Sequence, residues 1–127
     1  MTLLTMPPTS STPCRSEIWL VAVDSPRGAE IPKTRPAVVV SADAIGIPPI
    51  KLIVPLMGWH PSCEGKLWLV SVDLRFGTGI DKRCTADVFQ IRSVGLERFV
   101  TRIGRMPADI MEEIAAAITA VVEYQYR

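Results

Sequence analysis

The chain has 127 residues, which suits one domain with a single hydrophobic core, and 48% of them are hydrophobic. Fourteen Lys and Arg residues against thirteen Asp and Glu residues leave a formal net charge of only +1. This balance excludes a strongly basic body, so a nucleic-acid partner would have to be bound by a local cluster of cations.

The N-terminal residues 1–16, MTLLTMPPTSSTPCRS, are rich in Pro, Ser and Thr. Their apolar stretch is too short for a signal peptide and has no basic segment before it, so we predict a disordered tail. Nowhere do about 18 apolar residues run uninterrupted, and we therefore expect no membrane contact. One folded domain is predicted over residues 17–127.

Five segments are rich in β-branched and aromatic residues and are separated by loops that contain Gly, Pro or charged residues. They are predicted as strands at residues 17–24, 35–41, 51–57, 66–73 and 85–94. Pro55 cannot donate a hydrogen bond to a neighbouring strand, so it predicts an edge position or a bulge in the third strand. Short strands at this spacing favour a small barrel or sandwich.

The C-terminal segment MPADIMEEIAAAITAVVEY changes to a helical period. The following residues fall on one apolar stripe: Ile110, Met111, Ile114, Ala115, Ile118, Val121 and Val122. Pro107 stands near the predicted start, where proline is tolerated. We expect this helix to pack in the core or in an interface and to have no catalytic role.

Arg35 begins the second predicted strand as part of an Arg-Pro pair. Pro36 restricts the residue before it to extended conformations, so Arg35 leaves the backbone in a defined direction. A preoriented guanidinium is a good anion-binding group, although it also suits a solvated strand end.

Cys14, Cys63 and Cys84 are odd in number, far apart and in no C-x-x-C arrangement. This argues against a disulfide framework and against a zinc site, so we predict no metal and no cofactor. A reducing cytoplasm is the compartment that fits.

The order of these elements resembles the MazF/PemK family of toxin endoribonucleases, over roughly residues 17–124. The resemblance is carried by the opening E-I-W, by the block G-x-E-x-x-K-x-R-P-x-V-V-V-S that ends at Ser41, and by the V-P pair of the third strand. It implies a mainly β (α+β) fold, an SH3-like small β-barrel of about five to seven strands with a C-terminal amphipathic helix. It also implies a homodimer that cleaves single-stranded RNA sequence-selectively without a metal and that is neutralised by an antitoxin protein.

Family members carry an arginine in the Arg-Pro pair and a threonine at the end of the third strand as main catalytic residues. The resemblance places Arg35 on the first position and Met57 on the second, and a thioether cannot donate a proton or a hydrogen bond. Glu30 matches the family's glutamate and could orient Arg35. His60 is the only histidine, and it is either a substitute proton donor or an ordinary surface residue.

The resemblance also implies RNA contacts, which we assign to Lys33, Thr34, Ser41 and Gln90. Many relatives have an acidic residue immediately before the glutamine, where this chain has Phe89, so base selectivity cannot be carried over. Trp68 is predicted in the core, and for Trp59 both a core position and base stacking stay open.

A second class of function stays open beside the nuclease. The same barrel could be a non-catalytic protein-binding module, or a gyrase-poison-like toxin similar to the CcdB proteins. Met57 favours this alternative, whereas the intact block from Glu30 to Pro36 favours an endoribonuclease.

Overall fold

The computed structural model describes residues 12–23, 33–45 and 49–125. These residues form seven strands, which are β1 (Glu17–Ala22), β2 (Thr34–Val39), β3 (Ile50–Gly58), β4 (Leu69–Val72), β5 (Cys84–Asp87), β6 (Arg92–Gly95) and β7 (Phe99–Arg105). One α-helix follows, α1 (Ala108–Val121), and short 3-10 turns occur at Pro61–Cys63, Val88–Gln90 and Leu96–Arg98.

The strands form one antiparallel sheet in the order β4-β5-β3-β2-β1-β7, and β6 pairs with β3. The prediction of a mainly β fold with a C-terminal helix is confirmed. In the described residues β4 and β7 do not pair with each other, so the predicted barrel is an open, barrel-like sheet. No helix within the described ranges is long and apolar enough to span a membrane.

Alternating side chains divide the core into two clusters. From β1, Ile18 enters the larger cluster together with Val54 and the helix residue Ile114. Trp19 and Val21 point the other way and pack in the smaller cluster. Burying side chains of this size stabilises the fold by about 1.5 to 3 kcal/mol each, so the strand pairing is fixed by both faces of β1.

The predicted helix is confirmed, and its buried face is Ile110, Met111, Ile114 and Ala117. Ala115 and Val122, which we predicted on the stripe, are exposed, because the buried face turns toward Ala117 and the helix ends at Val121. The helix therefore closes one side of the larger cluster.

Two strand predictions were wrong in detail. Residues 85–94 do not form one strand, because a 3-10 turn at Val88–Gln90 separates β5 from β6. Strand β7 was missed, since none of its residues is fully buried and its pairing with β1 is interrupted by two register shifts. Neither feature gives the regular alternation that sequence reasoning relies on.

Pro55 lies in the centre of the sheet, so the prediction of an edge position was wrong. On one side of β3, the pairing with β6 ends at Ile53 and the pairing with β5 begins at Leu56. The residues between them, including Pro55, have no partner strand on that side among the described residues. A break of this kind accepts a residue without an N–H.

Two glycines allow the loop before β5 to cross β7 closely. Gly79 has φ +74°, and a Cβ there would lie 2.0 Å from the carbonyl oxygen of Ile103. A Cβ on Gly104 would lie 2.1 Å from the carbonyl oxygen of Thr78. The backbone of Arg105 also donates to the carbonyl oxygen of Gly77 at 2.8 Å, so β7 is held against this loop.

Contacts with the sheet extend back into the predicted tail. Ser16 donates its backbone N–H to the carbonyl oxygen of Val39 at 2.8 Å, and Arg15 donates its backbone N–H to Asp43 at 2.7 Å. Residues 1–11 lie outside the described residues. The contacts of the domain thus reach residues before the boundary at residue 17 that we expected.

Candidate functional site

A pocket of about 320 Å³ lies where the ends of β2 and β3 meet the turn before β6. It is lined by Val23, Arg35, Pro55, Met57, Gln90 and Arg92. Three of these, Arg35, Met57 and Gln90, were predicted as site residues from the sequence. The break in the sheet at Pro55 forms part of its wall.

Arg35 is positioned by regular strand pairing. It is the second residue of β2 and lies opposite Val21 of β1, and Pro36 after it lies opposite Leu20. Its side chain is exposed, and it forms no ion pair with any residue that the structure describes. A guanidinium in this state keeps its fork of N–H donors for a bound anion.

Arg92 is a second cation in the pocket, and sequence reasoning missed it. It is the first residue of β6 and lies opposite Ile53. The available signal was its place two residues after Gln90, which in an extended segment puts both on one face. Among the residues that the structure describes, no acidic residue lines the pocket, so the two arginines contribute a positive potential there.

Met57 occupies the position at which the resemblance expects a threonine, and its side chain is 40% exposed. The amide Nε2 of Gln90 lies 3.8 Å from Met57 Sδ and donates to Asp87 Oδ2 at 2.9 Å. The structure thus brings position 57 beside an amide and two guanidinium groups, but the thioether supplies no donor of its own.

Asp87 shapes the turn that carries Gln90. Its carboxylate is buried and accepts hydrogen bonds from the backbone N–H of Phe89 at 3.1 Å and from Gln90. Phe89 is turned outward, 70% exposed, with its ring centroid 6.3 Å from that of Trp68. Trp68 is itself 38% exposed, so the prediction that it lies in the core was wrong.

Other predicted residues lie beside the pocket or away from it. Lys33 and Thr34 immediately precede Arg35 and are exposed. Ser41 lies beyond the other end of β2, where its hydroxyl accepts from the backbone N–H of Leu52 at 3.1 Å. It is six residues from Arg35, about 20 Å along an extended chain, so the structure does not bring it to the pocket.

His60 does not line the pocket either. Its Nδ1 lies 3.0 Å from Ser62 Oγ and accepts from the Ser62 backbone N–H, which caps the 3-10 turn Pro61–Cys63. The ring is therefore engaged in local structure. Glu30, the remaining predicted catalytic residue, lies outside the described residues.

The cysteines give no nucleophile to this site. All three are free thiols, and none of them lines the pocket. Burial raises the pKa of the Cys84 thiol to about 11, so this thiol stays protonated at neutral pH. No group of three or more His, Cys, Asp or Glu side chains in the described residues is placed to hold a metal ion.

The pocket is thus suited to binding an anion such as a phosphodiester. Guanidinium groups pair with phosphate oxygens through parallel hydrogen bonds, and an amide both donates and accepts. The two guanidinium groups can stabilise negative charge that develops on a bound phosphate. Among the described lining residues, however, no group exchanges a proton near neutral pH.

Residues 14–122 match the model of the family described as PemK-like, MazF-like toxin of type II toxin-antitoxin system. The chain belongs to this family. It is 35% identical over 107 residues to endoribonuclease MazF9 of Mycobacterium tuberculosis (strain ATCC 25618 / H37Rv), an alignment that covers 82% of this chain and 91% of that protein.

Solved structures agree on the fold. An endoribonuclease in complex with its cognate antitoxin, from a mycobacterial species, superposes with a TM-score of 0.70 at 14% identity, covering 91% of this chain and 99% of that one. The MazF of a MazE-MazF crystal structure from Deinococcus radiodurans also gives 0.70, at 19% identity, covering 90% and 98%.

Proposed function

We propose that this protein is an endoribonuclease toxin that cleaves single-stranded RNA without a metal ion, with Arg35 as the main catalytic residue. The observation that carries the proposal is the pocket in which Arg35 and Arg92 lie together with Met57 and Gln90. A family of toxins that includes a 35% identical endoribonuclease supports the same activity.

Cleavage of RNA without a metal uses the neighbouring 2′-hydroxyl as the nucleophile. The 2′-hydroxyl gives its proton to a base, which can be water, as its oxygen attacks the phosphorus, and the phosphorane gains negative charge. A 2′,3′-cyclic phosphate remains when the bond to the 5′-oxygen breaks and that oxygen takes a proton. Arg35 binds the non-bridging oxygens, and its contribution grows as their charge develops. Arg92 is placed to assist from the β6 side of the same pocket.

Proton transfer is the part of the reaction that this pocket serves poorly. Arginine stays charged throughout the working pH range, Met57 cannot donate, and Gln90 exchanges no proton. With no proton donor among the described lining residues, we expect the leaving 5′-oxygen to take its proton from water and cleavage to be slow. A threonine at position 57 would place a hydroxyl donor in the pocket next to Gln90.

The test is cleavage of a long unstructured RNA in EDTA by the wild type, Met57→Thr, Arg35→Ala and the double variant. One hydrogen bond to a charged group that acts only in the transition state is worth about 10- to 150-fold in rate, so Met57→Thr should be faster by that factor. Arg35→Ala should remove activity in both backgrounds, which also excludes a contaminating nuclease.

Equal rates for the wild type and Met57→Thr would mean that another group donates the proton. His60→Ala is then the variant to measure, although His60 caps a turn and does not line the pocket. If neither protein cuts RNA while both are folded, the nuclease proposal fails.

Met57 itself favours the second candidate function, a non-catalytic protein-binding module on the same fold. Its thioether is 40% exposed in the pocket, and methionine packs adaptably against varied partners. A gyrase-poison-like toxin belongs to this class. Folded protein that inhibits growth without cutting RNA in either background would support it.

The partners that we infer are an antitoxin protein and a second copy of this chain. An antitoxin is part of the definition of the family, and one similar solved structure is of an endoribonuclease in complex with its cognate antitoxin. Exposed apolar side chains such as Val100 and Val122 would be covered in a homodimer, which sedimentation at micromolar concentration would reveal. A purely monomeric protein would contradict the dimer.

The cytoplasm is the compartment that we propose for this protein. All three cysteines lie in described segments and are free thiols, as expected where thiols are kept reduced. Messenger RNA would be accessible to the toxin there.

A further inference from the structure

We propose that a second pocket, beside the first, holds one unpaired RNA base next to the cleaved phosphate, and that cytosine is the base it prefers. This proposal rests on the RNA-cleaving function above. The second pocket has a volume of about 140 Å³ and lies between the outer ends of β3, β4 and β5 and the segment that follows β3. That is the space of about four or five liquid water molecules, which suits a single-ring base better than a double-ring one.

A buried hydroxyl without a partner marks this pocket. Thr85 lines it and is 1% exposed, and its Oγ1 has no hydrogen-bond partner within the described part of the chain. Folded proteins rarely leave such a group unpaired, because its desolvation is not compensated. A ligand that forms one hydrogen bond with Oγ1 would remove this penalty.

The strand register puts the two pockets side by side. Met57 of β3 lies directly opposite Thr85 of β5, which in turn lies opposite Ser71 of β4. Side chains of directly opposite residues share a face of the sheet, so Met57 and Thr85 are neighbours on one surface. Trp59, which lines the second pocket, is two residues beyond Met57, about 7 Å along the chain. An RNA strand with its phosphate at Arg35 therefore runs past the second pocket.

The lining favours a base over a phosphate. The ring of Trp59 offers a stacking surface, and the opposite charges of Glu64 and Arg83, which both line the pocket, leave little net attraction for an anion. A carboxylate accepts readily from the exocyclic amino group of cytosine, and the Thr85 hydroxyl can donate to or accept from the base edge. Uracil lacks this amino group, so it would leave Glu64 without a partner.

Thr85 Oγ1 has no contact with solvent, so a side chain that lines the pocket has to move when a base enters, and we infer that it is Arg83. Its guanidinium lies 4.0 Å from the ring centroid of Trp59, and its Nε donates to Ser71 Oγ at 3.1 Å. Both contacts are on the exposed side chain of Arg83, where such interactions are weak. A base can take over the face of Trp59 and leave Arg83 free to contact the RNA backbone.

The test compares Thr85→Val with the wild type and with the matched control Thr101→Val, whose threonine is exposed on β7. Cut sites are mapped by sequencing the products of a long unstructured RNA in EDTA. Cytosine should be preferred over uracil at one position beside the cut, and Glu64→Gln should reduce this preference about 3- to 10-fold. Thr85→Val should instead weaken cleavage at that site about 3- to 10-fold with either base, and the control should not. Thr85→Val should also melt at a higher temperature, because valine removes the unpaired hydroxyl without changing the volume.

A second measurement separates this proposal from cleavage itself. Binding of an all-2′-deoxy oligonucleotide, which lacks the nucleophile, is measured by fluorescence anisotropy. The oligonucleotide carries cytosine or uracil at the position mapped from the cut sites or, if the wild type does not cut, at each position in turn. Binding that prefers cytosine, and that Thr85→Val weakens for either base, supports the base pocket even if the wild type cuts nothing. An affinity that is unchanged in Thr85→Val, or a cytosine preference that is unchanged in Glu64→Gln or absent from the wild type, overturns the base pocket while cleavage by Arg35 stands. A wild type that neither cuts nor binds overturns both proposals.

Discussion

Two arginine-containing regions of this molecule handle positive charge in opposite ways. At the start of β1, the buried carboxylate of Glu17 accepts from Arg102 at 2.9 Å and lies 3.5 Å from Arg105. In the pocket, Arg35 and Arg92 form no ion pair with the described residues. The first region uses its cations to stabilise the fold, and the second keeps its cations available. Unpaired cations in a concave site therefore indicate function more clearly than the number of arginines does.

Replacing one arginine from each region by alanine should give the largest effect. Arg35→Ala should lower the rate of RNA cleavage about 100- to 1000-fold, as loss of a group that stabilises transition-state charge does, and should leave stability nearly unchanged. Arg102→Ala should leave the rate unchanged and lower stability by about 1 kcal/mol, since its guanidinium is more than half exposed. Cleavage kinetics and thermal melting of both variants are the measurements. Equal losses of rate would contradict the distinction between the two regions.

Arg92→Ala should show whether the pocket works with one cation or two. A single charge-assisted hydrogen bond supports an expected loss of about tenfold in kcat/KM. Arg92→Lys should recover only part of this loss, because an ammonium cannot form the paired hydrogen bonds of a guanidinium. The half-buried Arg98 is not a suitable control, since it donates to the carbonyl oxygen of Ala22 at 3.1 Å. Lys66→Ala is suitable, because it changes an exposed cation outside the pocket.

The antitoxin should compete for the same available charge. An acidic segment that folds on binding can place carboxylates where RNA phosphates would lie, so replacing Lys33 and Arg35 by Ala should weaken the complex about tenfold. The dependence of affinity on salt should become shallower as well. Titration calorimetry at two salt concentrations gives both quantities, and an unchanged salt dependence would show that the antitoxin binds elsewhere.

Glu17→Gln should have the smallest effect, and only on stability. Burial alone would raise the pKa of Glu17, but hydrogen bonds from the Trp19 indole, the Cys14 backbone and Arg102 outweigh it and lower that pKa. The stabilisation is therefore present above the ordinary glutamate pKa of about 4.3 and is lost as pH falls through the lower pKa of the folded state. At pH 7 the variant should lose about 1 kcal/mol, and at acid pH it should melt like the wild type. If the variant is still less stable than the wild type at acid pH, the loss comes from packing and not from the charge of Glu17.

The sequence predicted the parts of the fold in which local preference and burial agree. β1, β2 and α1 were found because β-branched runs or a helical stripe coincide with buried faces. β7 was missed because its side chains are at most half-buried and Gly104 interrupts them. The break between β5 and β6 was missed because Asp87 caps a turn inside a run that otherwise favours a strand.

The same reasoning explains the outcome at the candidate site. Arg35, Met57 and Gln90 were found through a resemblance in sequence, and the structure brings all three to one pocket. Arg92 and Thr85 were missed because each depends on the register of β3 with a distant strand. Ser41 was included by its place in a motif, although its hydroxyl serves the backbone of Leu52. Cross-strand neighbours of this kind are not encoded by local sequence.

The crossing of two backbones at Gly79 and Gly104 has a consequence for genetics. Any side chain at either position would meet a carbonyl oxygen at about 2 Å, so nearly every substitution there should prevent correct folding. Cells that survive expression of a toxin are enriched in variants that have lost toxic activity. Survivors should therefore fall into two groups: pocket variants that accumulate as full-length protein, and variants at these glycines that are degraded.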